Sequence, residues 1–344
     1  MLWSSRLLII ASELAVCVLC ARWFIPVFRR LKTGRLELYI GDRFRQDGSE
    51  PKFGGAVMLI AMTVGSFLSA AALDGRNELS DIRSGEMLLI SVFCAAALSI
   101  PGFWDDYLKD VRKSNVGIKM RYRLMYQFAV CLVFIAVLDM RCGFRADRIL
   151  LPFRWGYIDL KALYYPLAAV GMVIVISAVK LHDCFGGDVK SGCDGLCAVT
   201  VTLFSLTFAV YGMVTGKEYL SLFSYVTAAA SGGFLVWGLS PAKLYEGESG
   251  ALLMGGAVAC MTVISDMPLV FFMAGLGFIA DGICTLLQYA VFKRSKKLLL
   301  KGNSLHAHLK AKGRNDYGII IIFSCMTLIG SAVGTAFAVY STKL

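Results

Sequence analysis

The 344-residue sequence predicts an all-α, polytopic membrane protein with about ten transmembrane helices. Three observations carry that prediction. Hydrophobic residues make up 57% of the chain and charged residues 17%, where soluble domains run to roughly a half and a quarter. The apolar residues fall in blocks of about 20, the length of a helix that crosses the hydrocarbon layer. They lack the alternation of a membrane β-strand. Lys and Arg concentrate in every second loop, as in a chain threaded repeatedly through a bilayer.

In order, the first block, 7–28, has no small-residue cleavage site behind it and reads as a retained anchor. The second, 53–73, opens on Pro51-Lys52-Phe53-Gly54-Gly55, and the third, 87–104, ends at Asp105-Asp106. The fourth, 125–140, and the eighth, 250–265, are the shortest. The fifth, 162–180, stops before a Gly- and Asp-rich segment, 182–195. Blocks 195–215 and 219–239 follow, then 267–292 and 317–340. No long polar segment interrupts them, so residues 1–344 read as a single integral membrane domain.

An even number of spans puts both termini on one side. The odd loops carry 24 Lys and Arg, the even loops and termini 10. The positive-inside rule makes the odd loops cytoplasmic and the termini extracytoplasmic. The net charge of +11 then belongs to the cytoplasmic face. It reads as an orientation signal and a phosphate-handling surface, not as a nucleic-acid footprint. Most of the 11 cysteines lie inside apolar blocks as packing residues, and no disulfide framework is visible.

Four clusters on the odd loops carry chemistry. Adjacent carboxylates at Asp105 and Asp106 are costly at a span end unless solvated, paired or metal-bound. With the basic run from Arg112 to Arg123 they suit a magnesium–phosphate site; a solvated helix end is the plainer alternative. The segment Asp188-Val-Lys-Ser191-Gly-Cys-Asp194-Gly195 combines carboxylates with glycines that admit a ligand close to the backbone, although Asp194 also suits a helix cap. In Tyr245-Glu246-Gly247-Glu248 the ring can stack on a base or sit in the interfacial belt. His306 and His308, among lysines, suit phosphate oxygens. Glu13 and Asp281, inside spans, are expected to face the bundle interior in structural pairs.

In this order and on these loops the motifs resemble the phospho-N-acetylmuramoyl-pentapeptide transferases (translocase I), within the polyprenyl-phosphate N-acetylhexosamine-1-phosphate transferase superfamily. The resemblance runs from about Pro51 to Gly313 and rests most on Gly102-Phe-Trp-Asp-Asp-Tyr-Leu-Lys109, followed by Arg112-Lys-Ser-Asn-Val-Gly117. Pro241 to Ala251 and His306 to Gly313 add to it. It implies transfer of phospho-MurNAc-pentapeptide from UDP to undecaprenyl phosphate in the bacterial inner membrane, giving lipid I and UMP for peptidoglycan synthesis, with Mg²⁺ required. It also implies homodimers.

By matching position, the resemblance makes Asp105, Asp106 and Glu248 catalytic, with Glu248 and Asp105 on the metal and Asp105 the base. Substrate contacts fall to Asp188, Ser191, Asp194, Tyr245, His306, His308 and Arg123. The chain departs from the motifs where Ser191 replaces an aspartate, Asp188 an asparagine, Glu248 an aspartate and Ala307 a histidine. Those departures keep two alternatives in view: transfer of another UDP-sugar phosphate, or a binding homologue with impaired catalysis.

Overall fold

The computed structural model describes residues 3–30, 51–74, 79–112, 117–144, 148–150, 157–183, 193–296 and 299–342. The helices are α1 (Trp3–Arg30), α2 (Gly54–Asp74), α3 (Leu79–Asp106), α4 (Met120–Cys142), α5 (Tyr164–His182), α6 (Leu196–Val214), α7 (Glu218–Gly238), α8 (Gly247–Ile264), α9 (Pro268–Ala274), α10 (Leu276–Ser295), α11 (Leu305–Ala311) and α12 (Asp316–Thr342). Among the described residues, ten of these are long and apolar enough to cross a membrane; α9 and α11 are the short ones. The peripheral helices turn large apolar side chains outward, including Leu8, Trp23, Met125, Met140 and Ile321. Such a belt belongs against lipid, and the chain is a multi-pass membrane protein.

The spans follow the apolar blocks with one division. Residues 267–292 form two helices, broken at Gly275, where a Cβ would lie 2.6 Å from the Phe271 carbonyl oxygen. One small sheet departs from the all-α expectation. Strands β1 (Arg148–Leu150) and β2 (Tyr157–Asp159) pair antiparallel in the basic even loop, with Ile149 opposite Ile158.

Helix α8 is the axis of the bundle. It is buried almost throughout and packs chiefly on α3 and α5. Small residues permit this: a Cβ on Gly255 would lie 3.2 Å from Ile176 Cα, and one on Gly256 3.3 Å from Ala95 Cα. Helices in lipid have no hydrophobic force between them, so close backbone approach is what holds them. At its last turn α3 widens into a π-turn, Tyr107–Val111, closed by the Arg112 N–H on the Tyr107 carbonyl at 3.1 Å. Such turns re-aim side chains where function needs it.

Candidate active site

The site forms where α8 begins. The Gly54 and Gly55 N–H groups donate to the Tyr245 and Glu246 carbonyls at 2.9 and 3.0 Å, and the Tyr245 N–H donates to the Pro51 carbonyl at 2.9 Å. A Cβ on Gly55 would stand 2.4 Å from the Gly250 nitrogen, and one on Gly102 2.6 Å from the Glu248 carbonyl oxygen. The Pro51–Gly55 motif is therefore a clamp for the Tyr245–Glu248 loop. Asp106 completes it from α3. Its Oδ1 accepts the Glu248 N–H at 3.0 Å and its Oδ2 the Ser249 N–H at 2.9 Å. These are the orphan donors of a helix start, and a carboxylate there also opposes the positive end of the helix dipole. Asp106 spends both oxygens on placing Glu248.

Asp105 points the other way. Its Oδ1 accepts the Ile118 N–H at 2.8 Å, and Lys109 Nζ lies 2.5 Å from its Oδ2, one helical turn on. Glu248 gathers three cations from three helical segments. Lys180 Nζ is 2.6 Å and Arg123 Nη1 3.4 Å from its Oε2, and Lys109 Nζ is 4.0 Å from its Oε1. Arg123, expected to bind substrate, is thus brought to the Asp105–Glu248 pair. Lys180 was not singled out by the sequence reading. It lies in the last turn of α5, where the helix dipole favours a cation.

Just past Lys180, Asp183 joins Glu246 and Cys197, their ligand-type atoms all within 4.8 Å of one another. Glu246 accepts from the Cys197 thiol and the Ala198 N–H, and its Oε2 has no hydrogen-bond partner among the described residues. Burial raises the Glu246 carboxyl above its ordinary value. Burial raises Asp183 further, aided by the charges of Glu246 and Glu248 and opposed by Lys180. Asp188 and Ser191, the expected substrate residues of this segment, lie outside the described residues. Asp183, near the start of the Gly- and Asp-rich segment 182–195, is the carboxylate that reaches the centre.

The C-terminal turn of α5 also carries His182. Asp281 Oδ2 lies 2.6 Å from His182 Nδ1 and 2.7 Å from His306 Nδ1, and its Oδ1 accepts the His306 backbone N–H at 3.1 Å. A carboxylate only accepts, so each ring donates from Nδ1. The triad is buried and links α5, α10 and α11. Asp281 faces inward and is paired, as expected for an acid inside a span. His306 is therefore engaged from inside the bundle. Glu13 also faces inward, but neither of its carboxylate oxygens has a hydrogen-bond partner among the described residues. His308 Nδ1 accepts the Lys301 N–H at 3.1 Å. Asp194 Oδ2 accepts the Ala242 N–H at 3.3 Å, and burial raises its carboxyl. Tyr245 is half-buried, its backbone held in the clamp.

Three donor sets offer themselves to a metal. In the His182–Asp281–His306 set both Nδ1 atoms are taken by Asp281 Oδ2, while His182 Nε2 has no hydrogen-bond partner among the described residues. In the Asp183–Cys197–Glu246 set the thiol already donates to a carboxylate. The pair expected to hold Mg²⁺, Asp105 and Glu248, is covered by Lys109, Arg123 and Lys180. Mg²⁺ binds through oxygens that face it directly. As arranged, this pair does not fit the ion, because an ammonium stands at hydrogen-bond distance on each carboxylate.

Fold and site together define a class: a multi-pass membrane protein with carboxylates and cations massed at one end of the bundle, suited to polyanionic substrates. The family model described as Glycosyl transferase family 4 matches residues 88–266, just over half of the chain, and the chain belongs to that family. The match spans Asp105 to Glu248 and stops before Asp281 and His306. Over nearly its full length the chain is similar to proteins named phospho-N-acetylmuramoyl-pentapeptide-transferase. It is 29% identical to that of Shouchella clausii, covering 99% of each chain. It is 29% identical to that of Heliobacterium modesticaldum, covering 98% of each. It is 28% identical to that of Halalkalibacterium halodurans, again covering 98% of each.

Proposed function

We propose that the chain transfers phospho-MurNAc-pentapeptide from its UDP carrier to undecaprenyl phosphate, forming lipid I and UMP, as one membrane unit in the bacterial inner membrane. The charged centre would face the cytoplasm, with both termini on the other side, in keeping with the 24 to 10 division of basic residues. The observation that carries the reading is the convergence of Lys109, Arg123 and Lys180 on Asp105 and Glu248 at one bundle end. A soluble nucleotide can reach that end while the lipid tail stays in the bilayer.

An oxygen of the lipid phosphate attacks the phosphorus that bears the sugar. The bond from that phosphorus to the bridging oxygen breaks, and the electron pair leaves on UMP. Attack brings anion against anion, and preorganised cations offset the repulsion. Lys109, Arg123 and Lys180 supply that charge. Asp105, held by the Ile118 N–H, is the group to take a proton from the lipid phosphate. Asp106 positions Glu248 through the start of α8. Asp194 and Tyr245 are assigned to the uridine and His308 to the diphosphate; His306, expected there too, would reach it only by leaving the buried contact with Asp281. Asp188 and Ser191 stay assigned to the substrate by their place in the motif. The magnesium implied by the resemblance would have to displace Lys180 to reach Glu248.

Purified protein with UDP-MurNAc-pentapeptide and undecaprenyl phosphate tests this. UMP release that disappears in Asp105→Asn supports it. Release only from another UDP-sugar, or none while substrate still binds, would overturn it.

A further inference from the structure

We infer that Lys180 is a resident cation of the transfer centre, occupying the place at Glu248 that a divalent ion would take, so that transfer depends only weakly on divalent metal. This rests on the transferase reading. Three observations carry it. Lys180 Nζ sits at 2.6 Å from Glu248 Oε2, the shortest of the contacts between Glu248 and its three cations. Glu248 does not need it for neutralisation, since Arg123 and Lys109 already lie against the same carboxylate. Asp105, the other oxygen donor expected to face an ion, has Lys109 on Oδ2 and a backbone N–H on Oδ1.

The placement is rigid. Lys180 belongs to the C-terminal turn of α5, anchored two residues further on by the buried His182–Asp281 contact at 2.6 Å. On the other side, Asp106 fixes the Glu248 backbone. An ammonium held between two fixed elements is a point charge with three donors, able to turn from a carboxylate to a phosphate oxygen without moving the helix. An ion recruited from solution would have to break that ion pair first, and its affinity falls accordingly. The chemistry recognised remains a diphosphate; what changes is the source of the positive charge.

The test uses the full-length protein in detergent or nanodiscs, with Mn²⁺ as the probe. Binding is read from loss of the free-ion paramagnetic resonance signal, and turnover from UMP release in EDTA against a magnesium titration. Wild type should bind Mn²⁺ weakly and retain most of its release in EDTA. Lys180→Asn, which removes the nearer of the two cations on Glu248 Oε2 and leaves Arg123 at 3.4 Å, should bind Mn²⁺ about tenfold tighter or more, and its turnover should become dependent on added metal. Lys180→Arg, which keeps the charge, should retain the resistance to EDTA. Tight stoichiometric Mn²⁺ binding by wild type, with release abolished by EDTA and restored by magnesium, overturns the inference while leaving the transferase reading intact. Absence of release from any UDP-sugar overturns the transferase reading, and the Mn²⁺ comparison still decides what Lys180 does.

Discussion

Gly117→Ala tests whether Asp105 works from its observed seat. A Cβ built on Gly117 lies 2.0 Å from Asp105 Oδ1 and 2.9 Å from Lys109 Cε. Ordinary carbon contacts begin near 3.5 Å, so the carboxylate must retreat by roughly 1 Å or more. The oxygen that moves is the one accepting the Ile118 N–H at 2.8 Å. Losing a hydrogen bond to a charged group costs about 1.5–3 kcal/mol. A shift of that size at a reacting group lowers turnover by on the order of 10²-fold. UMP release and the thermal midpoint of the detergent-solubilised protein should both fall. Gly171→Ala is the control, since nothing lies within 4 Å of its would-be Cβ and it sits inside α5. There the change should leave turnover alone and stabilise by up to about 1 kcal/mol. If Gly117→Ala turns over and melts like wild type, Asp105 is not held as described.

Three further outcomes follow from the same geometry. Asp106→Asn leaves one acceptor where two N–H groups need one each; it should lower stability by about 1–3 kcal/mol and displace Glu248, seen as a lower midpoint together with slower UMP release. Asp281→Asn turns an amide N–H₂, which cannot accept, toward either the two ring donors on Oδ2 or the His306 backbone N–H on Oδ1 and should cost about 3 kcal/mol, measured as a lower midpoint; an unchanged one would deny the triad a structural role. Glu246 has its folded-state pKa raised by burial, so the folded protein pays nothing below the unfolded value and is progressively penalised as pH rises through the folded one. Glu246→Gln should therefore melt much like wild type at pH 4.5 and above it at pH 8, and equal midpoints at both values would count against a raised carboxyl.

The sequence held the fold and part of the site. Ten apolar blocks become ten spans because hydropathy alone dictates which segments leave water. The pairs Asp105-Asp106 and Glu246-Gly-Glu248 were legible because two acids at a span end are costly without a reason. Gly275 was not legible as a break, since the residues on both sides of it are equally apolar and only the close approach of the Phe271 carbonyl shows it. Lys180 was hidden for the opposite reason: a lysine at the end of a span reads as a snorkelling side chain, and only tertiary packing brings it to Glu248. Asp183 stands apart from the denser run of Asp and Gly at 186–195, and local pattern does not distinguish it. His182 and Asp281 are 99 residues apart, and no local pattern pairs them.

One helix ties these pieces together. Because α8 is buried along its length, its first turn cannot shift without repacking α3 and α5. Both neighbours end at the site, α3 in Asp105 and Asp106 and α5 in Lys180 and His182. The carboxylates, Lys180 and, through the π-turn that continues α3, Lys109 are therefore carried on the ends of the same three helices whose small-residue contacts hold the bundle, while Arg123 comes from α4. A substitution deep in the membrane, such as a larger residue at Gly255 against Ile176 Cα, acts on the spacing between Lys180 and Glu248 as well as on packing. On the proposed reading, affinity for the diphosphate and stability of the bundle are set by the same backbone distances, which makes the geometry of this charge cluster a property of the fold more than of the loops around it.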